Sequence, residues 1–274
     1  MTVLLLGGTG EARALAGLLV AAGVDVLSSL AGRVSRPALP VGRLRVGGFG
    51  GVDGLAMFLV EHRVTVVVDA THPFAATISA NAAAACARTG TPLLRLARPG
   101  WAEHPDAAGW TWVDSVGEAL AVAADRPVLT TGRQSLHEFL PWADRAVLAR
   151  VVDPPDLELP PAWRLVRSRG PYDLAGEQAL LREHGADLLV TKDSGGSLTA
   201  AKLDAARELD VRVVVVRRPS GPPADGVVTG VGEAFDEVVA LGALIGRPDE
   251  RPSGAGQDHD GQGTDVGRRP VGRP

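Results

Sequence analysis

Along most of this chain, short apolar runs that stop at glycine, serine, threonine or proline alternate with longer stretches of helical spacing. TVLLLGG, VDVLSSLAGR, RLRVGGFGG, VTVVVDATHP and TPLLRLARP are rich in β-branched residues or leucine and end in turn-forming residues. Strands of a parallel sheet covered on both faces read this way. Between them, EARALAGLLVAAG, GLAMFLVEHR and FAATISANAAAACARTG carry apolar residues at helical spacing, and two of the three stop at glycine. Strand and helix alternating through about residue 95 predict a doubly wound α/β domain.

The stretch ARPGWAEHPDAAGWTWVD, ending at Asp114, holds three of the five tryptophans and reads as an irregular excursion plus one strand. The alternation then restarts in PVLTTGRQS, RAVLARVVDPP, WRLVRSRGPYD, ADLLVTKDSGG and VRVVVVRRPSG, with helices predicted over about 173–184, 197–208 and 231–244. The fold class expected is therefore α/β, with two Rossmann-like domains of parallel strands. The expected boundaries are 1–124, 125–246 and a tail of Gly, Pro, Asp, Arg and Gln over 247–274, whose composition predicts disorder. Ligands bind outside the carboxyl ends of strands in open parallel sheets, so the polar packets that follow these strands predict a cleft between the two domains.

Composition narrows the chemistry. A formal charge of −4 offers no global basic field, so neither nucleic acid nor an anionic membrane is an expected partner, and any anion must be gripped locally. Nowhere do about 18 apolar residues run together, and the first apolar run meets Gly7 at once, so neither a membrane span nor a signal peptide is expected. Cys86 is the single cysteine, which excludes an internal disulfide and multi-cysteine metal centres and suits a reducing cytoplasm. Of 28 basic residues only Lys192 and Lys202 are lysines, both in one segment. In a chain that otherwise uses arginine, a lysine at a strand end suggests an ammonium that a guanidinium cannot replace.

LLLGGTGEARALA is a strand, a glycine turn and a helix start. Gly7, Gly8 and Gly10 permit close approach to a phosphate, and the first helical amides offer donors. Arg13 stands where a strict dinucleotide fingerprint has its third glycine, and no Gly-Lys-Ser/Thr follows for a Walker loop. The second strand ends in Ser28 and Ser29, with Arg33 shortly after and no carboxylate for a ribose diol. That set favours a 2′-phosphate, hence NADPH; a solvated loop arginine is the alternative. RVGGFGGVDGL surrounds Phe49 with glycines, either to pass under a flat ligand or as a mobile loop. In VVVDATHPFA, Asp69, Thr71 and His72 either cap the next helix, with Pro73 in its first turn, or face a ligand. LTTGRQSL presents Thr130, Thr131, Gly132 and Arg133, and VTKDSGGSLTAAKLDAA presents Lys192, Ser194, Gly195 and Lys202.

Absences narrow it further. Tyr172 is followed four places on by Gly176, not lysine, which removes the short-chain dehydrogenase mechanism. Six histidines and one cysteine do not supply a zinc alcohol dehydrogenase, and no Gly-x-Ser-x-Gly elbow is present.

In order and over roughly residues 3–218, the chain resembles the precorrin-6A reductase family of cobalamin biosynthesis, with its cobalt-precorrin-6A counterpart. The matching stretches are LLLGGTGEARALA, SSLAGR, VGGFGGVDGL, DATHPFAATISANA, LLRLARPGW, TTGRQSL, RVVDPP, RGPYDLAGEQALL and TKDSGGSLTAAKLDAARE. DATHPFA together with KDSGG is the specific pair; the tail and Gly10 depart from the expected pattern. The resemblance implies reduction of one macrocycle double bond by a reduced nicotinamide cofactor, which the serines and arginine after the second strand make NADPH, with a polycarboxylate tetrapyrrole between two Rossmann-like domains; handover contacts with neighbouring pathway enzymes are a further expectation. The expected cofactor contacts are Gly7, Gly8, Thr9, Gly10, Glu11, Ser29, Arg33, Gly48 and Thr71, and the expected substrate contacts are Asp69, His72, Arg133, Lys192, Ser194, Gly195 and Lys202. Lys192 and His72 are the catalytic candidates. Rival readings are a tetrapyrrole enzyme that uses no nucleotide and a dinucleotide sensor without turnover.

Overall fold

The computed structural model describes residues 1–32, 39–196 and 199–245; Arg33, residues 197–198 and the tail lie outside the described residues. The first sheet is built from β1 (Thr2–Leu6), β2 (Asp25–Leu30), β3 (Arg43–Val46), β4 (Val66–Asp69), β5 (Leu93–Leu96) and β12 (Gly226–Val228), in the order 3-2-1-4-5-12. The second is built from β6 (Thr111–Val113), β7 (Pro127–Leu129), β8 (Leu148–Val151), β9 (Arg164–Arg167), β10 (Leu188–Lys192) and β11 (Arg212–Val216), in the order 9-8-7-10-11-6. Every pairing in both is parallel. Two Rossmann-like sheets are what the alternation predicts.

The central strands are largely apolar because helices cover both faces, whereas the edge strands β3 and β9 are partly exposed and carry two arginines each. In β1, Val3 and Leu5 turn toward α1 (Gly10–Ala21) and α7 (Val231–Ile245), while Leu4 and Leu6 turn toward α2 (Gly51–Glu61) and α3 (Ala76–Thr89). In the second sheet, Val190, Val214 and Val216 join a core with Leu136, Phe139 and Trp142 of the 3₁₀ helix Arg133–Trp142, and α4 (Val116–Ala119) closes that side. The opposite face packs Leu189, Val213 and Val215 against α5 (Leu174–His184) and α6 (Ala201–Glu208). No helix among the described residues is long and apolar enough to cross a membrane.

The sheets do not respect a boundary at Ala124. β6, which precedes it, occupies the sixth position of the second sheet, and β12, near the end of the described chain, occupies the sixth position of the first. The chain therefore passes between the sheets twice, after β5 and after β11. Hydrophobic pattern marks a strand and is blind to its sheet, so neither exchange could be read from it. β12 also escaped the pattern, being three residues of which Val227 is 58% exposed.

Candidate active site

Each sheet reverses its winding between two neighbouring strands, β1 and β4 in the first and β7 and β10 in the second. Ligand crevices form at such points, at the carboxyl ends of the strands. The two sets of carboxyl ends meet: the His72 ring, after β4, lies 3.1 Å from the Ser194 hydroxyl, after β10.

At the first switch point, Thr9 caps α1 by accepting from the Ala12 amide (3.1 Å) and donates to the Ala70 carbonyl (2.8 Å), tying the glycine turn to the end of β4. Gly8 has φ +118°, is exposed, and has open space where a side chain would stand. That bare backbone, next to the free amides of a helix start, fits the pyrophosphate of a dinucleotide. The Gly7 amide is engaged with the Ser29 carbonyl, and Ser29 itself is buried within β2. Gly48 accepts a hydrogen bond from Arg45, whose guanidinium lies 4.0 Å from the centre of the Phe49 ring, so the glycine-rich turn is filled by its own arginine.

The packet after β4 does not cap a helix. α3 begins only at Ala76 and has no side-chain cap. Thr71 donates its hydroxyl to Asp69 (2.7 Å), and the Phe74 amide donates to His72 Nδ1 (3.2 Å). With Nδ1 accepting, the neutral ring carries its proton on Nε2 and donates to Ser194. Phe74 reaches the core of the second domain, and the Lys192 ammonium lies 5.2 Å from its ring centre. The loop is a hook that docks one domain on the other.

The two crossovers are locked at the same place. Asp193, only 6% exposed, accepts from the Trp101 amide of one crossover and pairs with Arg218 of the other at 3.0 Å. Arg218 donates to the Arg98 carbonyl, while Arg98 pairs with Glu11 at 2.8 Å and donates to the Ser194 carbonyl. Glu11 is thus drawn to a guanidinium rather than to the pyrophosphate turn, as its charge requires. Gly195, at φ +63°, is needed because a side chain there would fall on the Pro99 carbonyl, so the crossover packing requires it.

A cavity of about 260 Å³ opens beside this junction, lined by Thr9, Asp69–Pro73, Ser79, Arg95, Arg98 and the crossover 218–222. Asp69 is almost fully buried and lies 3.8 Å from Arg95, which keeps one buried guanidinium nitrogen without a hydrogen-bond partner. The chain is acidic, yet three arginines, Arg95, Arg98 and Arg218, line this cavity against two carboxylates, Asp69 and Glu11. His72 registers the field: burial, then the charges of Arg98, Lys192 and Arg218, lower its pKa to about 4, so it is neutral at pH 7. Burial also lowers the pKa of Lys192. Among the described residues no carboxylate pairs with its ammonium, though Glu138 opposes the shift from a distance.

Lys202 is an interior residue, not a rim residue. It is 5% exposed, donates to the Thr199 carbonyl (2.8 Å) and sits 4.7 Å from the Trp101 ring centre, beside the buried Arg150–Glu177 pair. Burial holds its pKa down to about 7. Arg133 opens its 3₁₀ helix and donates to the Pro154 carbonyl, outside the cavity lining. Arg95, Arg98, Arg218 and Asp193 were not singled out from sequence, since one more arginine in an arginine-rich chain carries no signal of its own.

This fold and site define a two-domain, Rossmann-like oxidoreductase. The family model described as "Precorrin-6x reductase CbiJ/CobK" matches residues 2–241, and the chain belongs to that family. It is 50% identical over 243 residues to the precorrin-6A reductase of Rhodococcus erythropolis, covering 87% of this chain and 98% of the relative. It is 34% identical to the cobalt-precorrin-6A reductase of Priestia megaterium, covering 79% and 90% respectively. A solved "CobK precorrin-6A reductase" superimposes with TM-score 0.80 at 39% identity, covering 88% of this chain and 97% of that one.

Proposed function

We propose that the protein reduces one double bond of the precorrin-6A macrocycle with NADPH, in cobalamin biosynthesis. The observation that carries this reading is the meeting of two switch points, one with a glycine turn fit for a dinucleotide and one with a lysine whose charge burial weakens. When bound, the nicotinamide supplies the hydride, and the protein's part is to hold two flat partners together and keep water out.

Gly8, Thr9 and the first amides of α1 hold the pyrophosphate. Thr71, fixed by Asp69, lines the cavity on the nicotinamide side of the switch point. A neutral His72 cannot serve as an acid at pH 7; it positions Ser194, whose own hydroxyl proton is left to point at a ligand. Lys192 is the group that grips a substrate carboxylate or yields a proton, because burial makes its ammonium more willing to lose one. Arg133 serves as a further carboxylate contact. This reading implies a cytoplasmic setting and passing contacts with neighbouring pathway enzymes.

The test is anaerobic mixing of the protein with precorrin-6A and NADPH, following nicotinamide absorbance and the tetrapyrrole spectrum together. Coupled loss of both signals is expected, with Lys192→Ala still binding NADPH but turning over at least about tenfold more slowly. NADPH binding without consumption of metal-free precorrin-6A would overturn the reading in favour of the cobalt-containing substrate or a sensor.

A further inference from the structure

A second, smaller cavity lies on the other side of the glycine turn. Gly7, Gly8, Arg13, Ser28, Leu30 and Pro40 line it, and its volume of about 10 Å³ is the scale of a single oxygen-sized group. Alternation along β2 turns Ser28 toward α1, on the same side as Val26. There the Ser28 hydroxyl is 1% exposed and has no hydrogen-bond partner among the described residues. Buried hydroxyls are rarely left this way. Arg13, in the first turns of α1, lines the same space, and among the described residues its guanidinium has neither an ion pair nor a hydrogen bond.

Position identifies the ligand group. In a 3-2-1-4-5-6 sheet the dinucleotide lies across the switch point, with its adenosine half over β2 and its nicotinamide half over β4. The large arginine-lined cavity is on the β4 side; Arg13 and Ser28 are on the β2 side. The described residues closing β2, Leu30, Ala31 and Gly32, include no acid to accept a ribose diol. An unpaired guanidinium at that end suits a dianionic phosphate, which it can meet through two parallel hydrogen bonds.

We propose that Arg13, with Ser28 beside it, forms the socket for the 2′-phosphate on the adenosine half of the cofactor, and so selects NADPH over NADH. The inference rests on the reductase reading above and deepens it. Arg13 occupies the place of the fingerprint's third glycine, so the departure from the fingerprint is itself the specificity device.

The test is calorimetric titration of the protein with 2′,5′-ADP and with 5′-AMP, in the wild type, Arg13→Ala, Arg13→Gln, Arg13→Lys and Ser28→Ala. Loss of a charged hydrogen-bond partner predicts roughly 10–100-fold weaker 2′,5′-ADP binding in Arg13→Ala and Arg13→Gln, with 5′-AMP binding unchanged. Arg13→Lys restores part of the loss, and Ser28→Ala weakens 2′,5′-ADP by a smaller factor. Unchanged 5′-AMP binding also shows that each variant is folded. Equal losses for both nucleotides would put Arg13 on the 5′-phosphate and overturn the proposal, as would no loss for either. A wild type that binds NADPH but not 2′,5′-ADP overturns the socket alone, whereas one that binds neither removes the NADPH reading as well.

Discussion

Acid should loosen the contact between the two domains through one group, His72. An unperturbed histidine titrates near 6.5, and in the folded protein burial and four neighbouring cations, Arg98, Lys192, Arg218 and Lys202, lower this to about 4. Between those values the unfolded chain binds a proton that the folded chain refuses. Stability from this source is therefore complete above pH 6.5 and is lost as pH falls toward 4. Each pH unit in that window is worth about 1.4 kcal/mol, so moving from pH 7 to pH 4.5 costs on the order of 2–3 kcal/mol through this residue. The geometry explains the refusal: a proton on Nδ1 would face the Phe74 amide that already donates to it. Urea unfolding of wild type and His72→Gln over this pH range isolates the term, because every other carboxylate and histidine titrates in both proteins. Glutamine can keep both hydrogen bonds and cannot titrate. The stability difference between the two proteins is expected to shift by roughly 2–3 kcal/mol in the variant's favour on acidification. A difference that stays constant with pH, or an NMR midpoint for the His72 ring near 6.5, refutes the argument.

Two further outcomes follow, one from the junction beneath the cavity and one from the interior of the second domain. Gly195→Ala puts a side chain at φ +63° and onto the Pro99 carbonyl, which predicts about 2–4 kcal/mol of destabilisation in urea unfolding. Lys202 has a folded pKa of about 7 against an ordinary 10.5, so it contributes stability that grows as pH rises through that interval. Lys202→Met removes this rise, and thermal unfolding between pH 7 and pH 10 will show a flatter profile than the wild type.

The local pattern in the chain was enough for most of the architecture. Short β-branched runs such as VVVV at 213–216 read as strands covered on both faces, and glycine turns after strands mark where a parallel sheet turns to its next helix. The specific pair DATHPFA and KDSGG pointed to two segments that do come together, His72 against Ser194. Charge gave less. Lys192 and Lys202 look alike in sequence, one residue type in one segment, yet Lys192 stands at the domain junction and Lys202 lies inside the second domain.

Period, turn chemistry and residue type are properties of neighbours in the chain, and they determined the two α/β units, the glycine turn at Gly7–Gly10 and the polar packet after β4. Which sheet received β6 and β12, whether Glu11 met a phosphate or Arg98, and what became of His72 were decided by contacts between residues far apart in sequence. The exchange of sixth strands brings both crossovers past the same carboxyl ends, where Asp193 captures them and the arginines they carry line the cavity. No local rule encodes that convergence, because its energy comes from pairing charges that only closure of the two domains brings within reach.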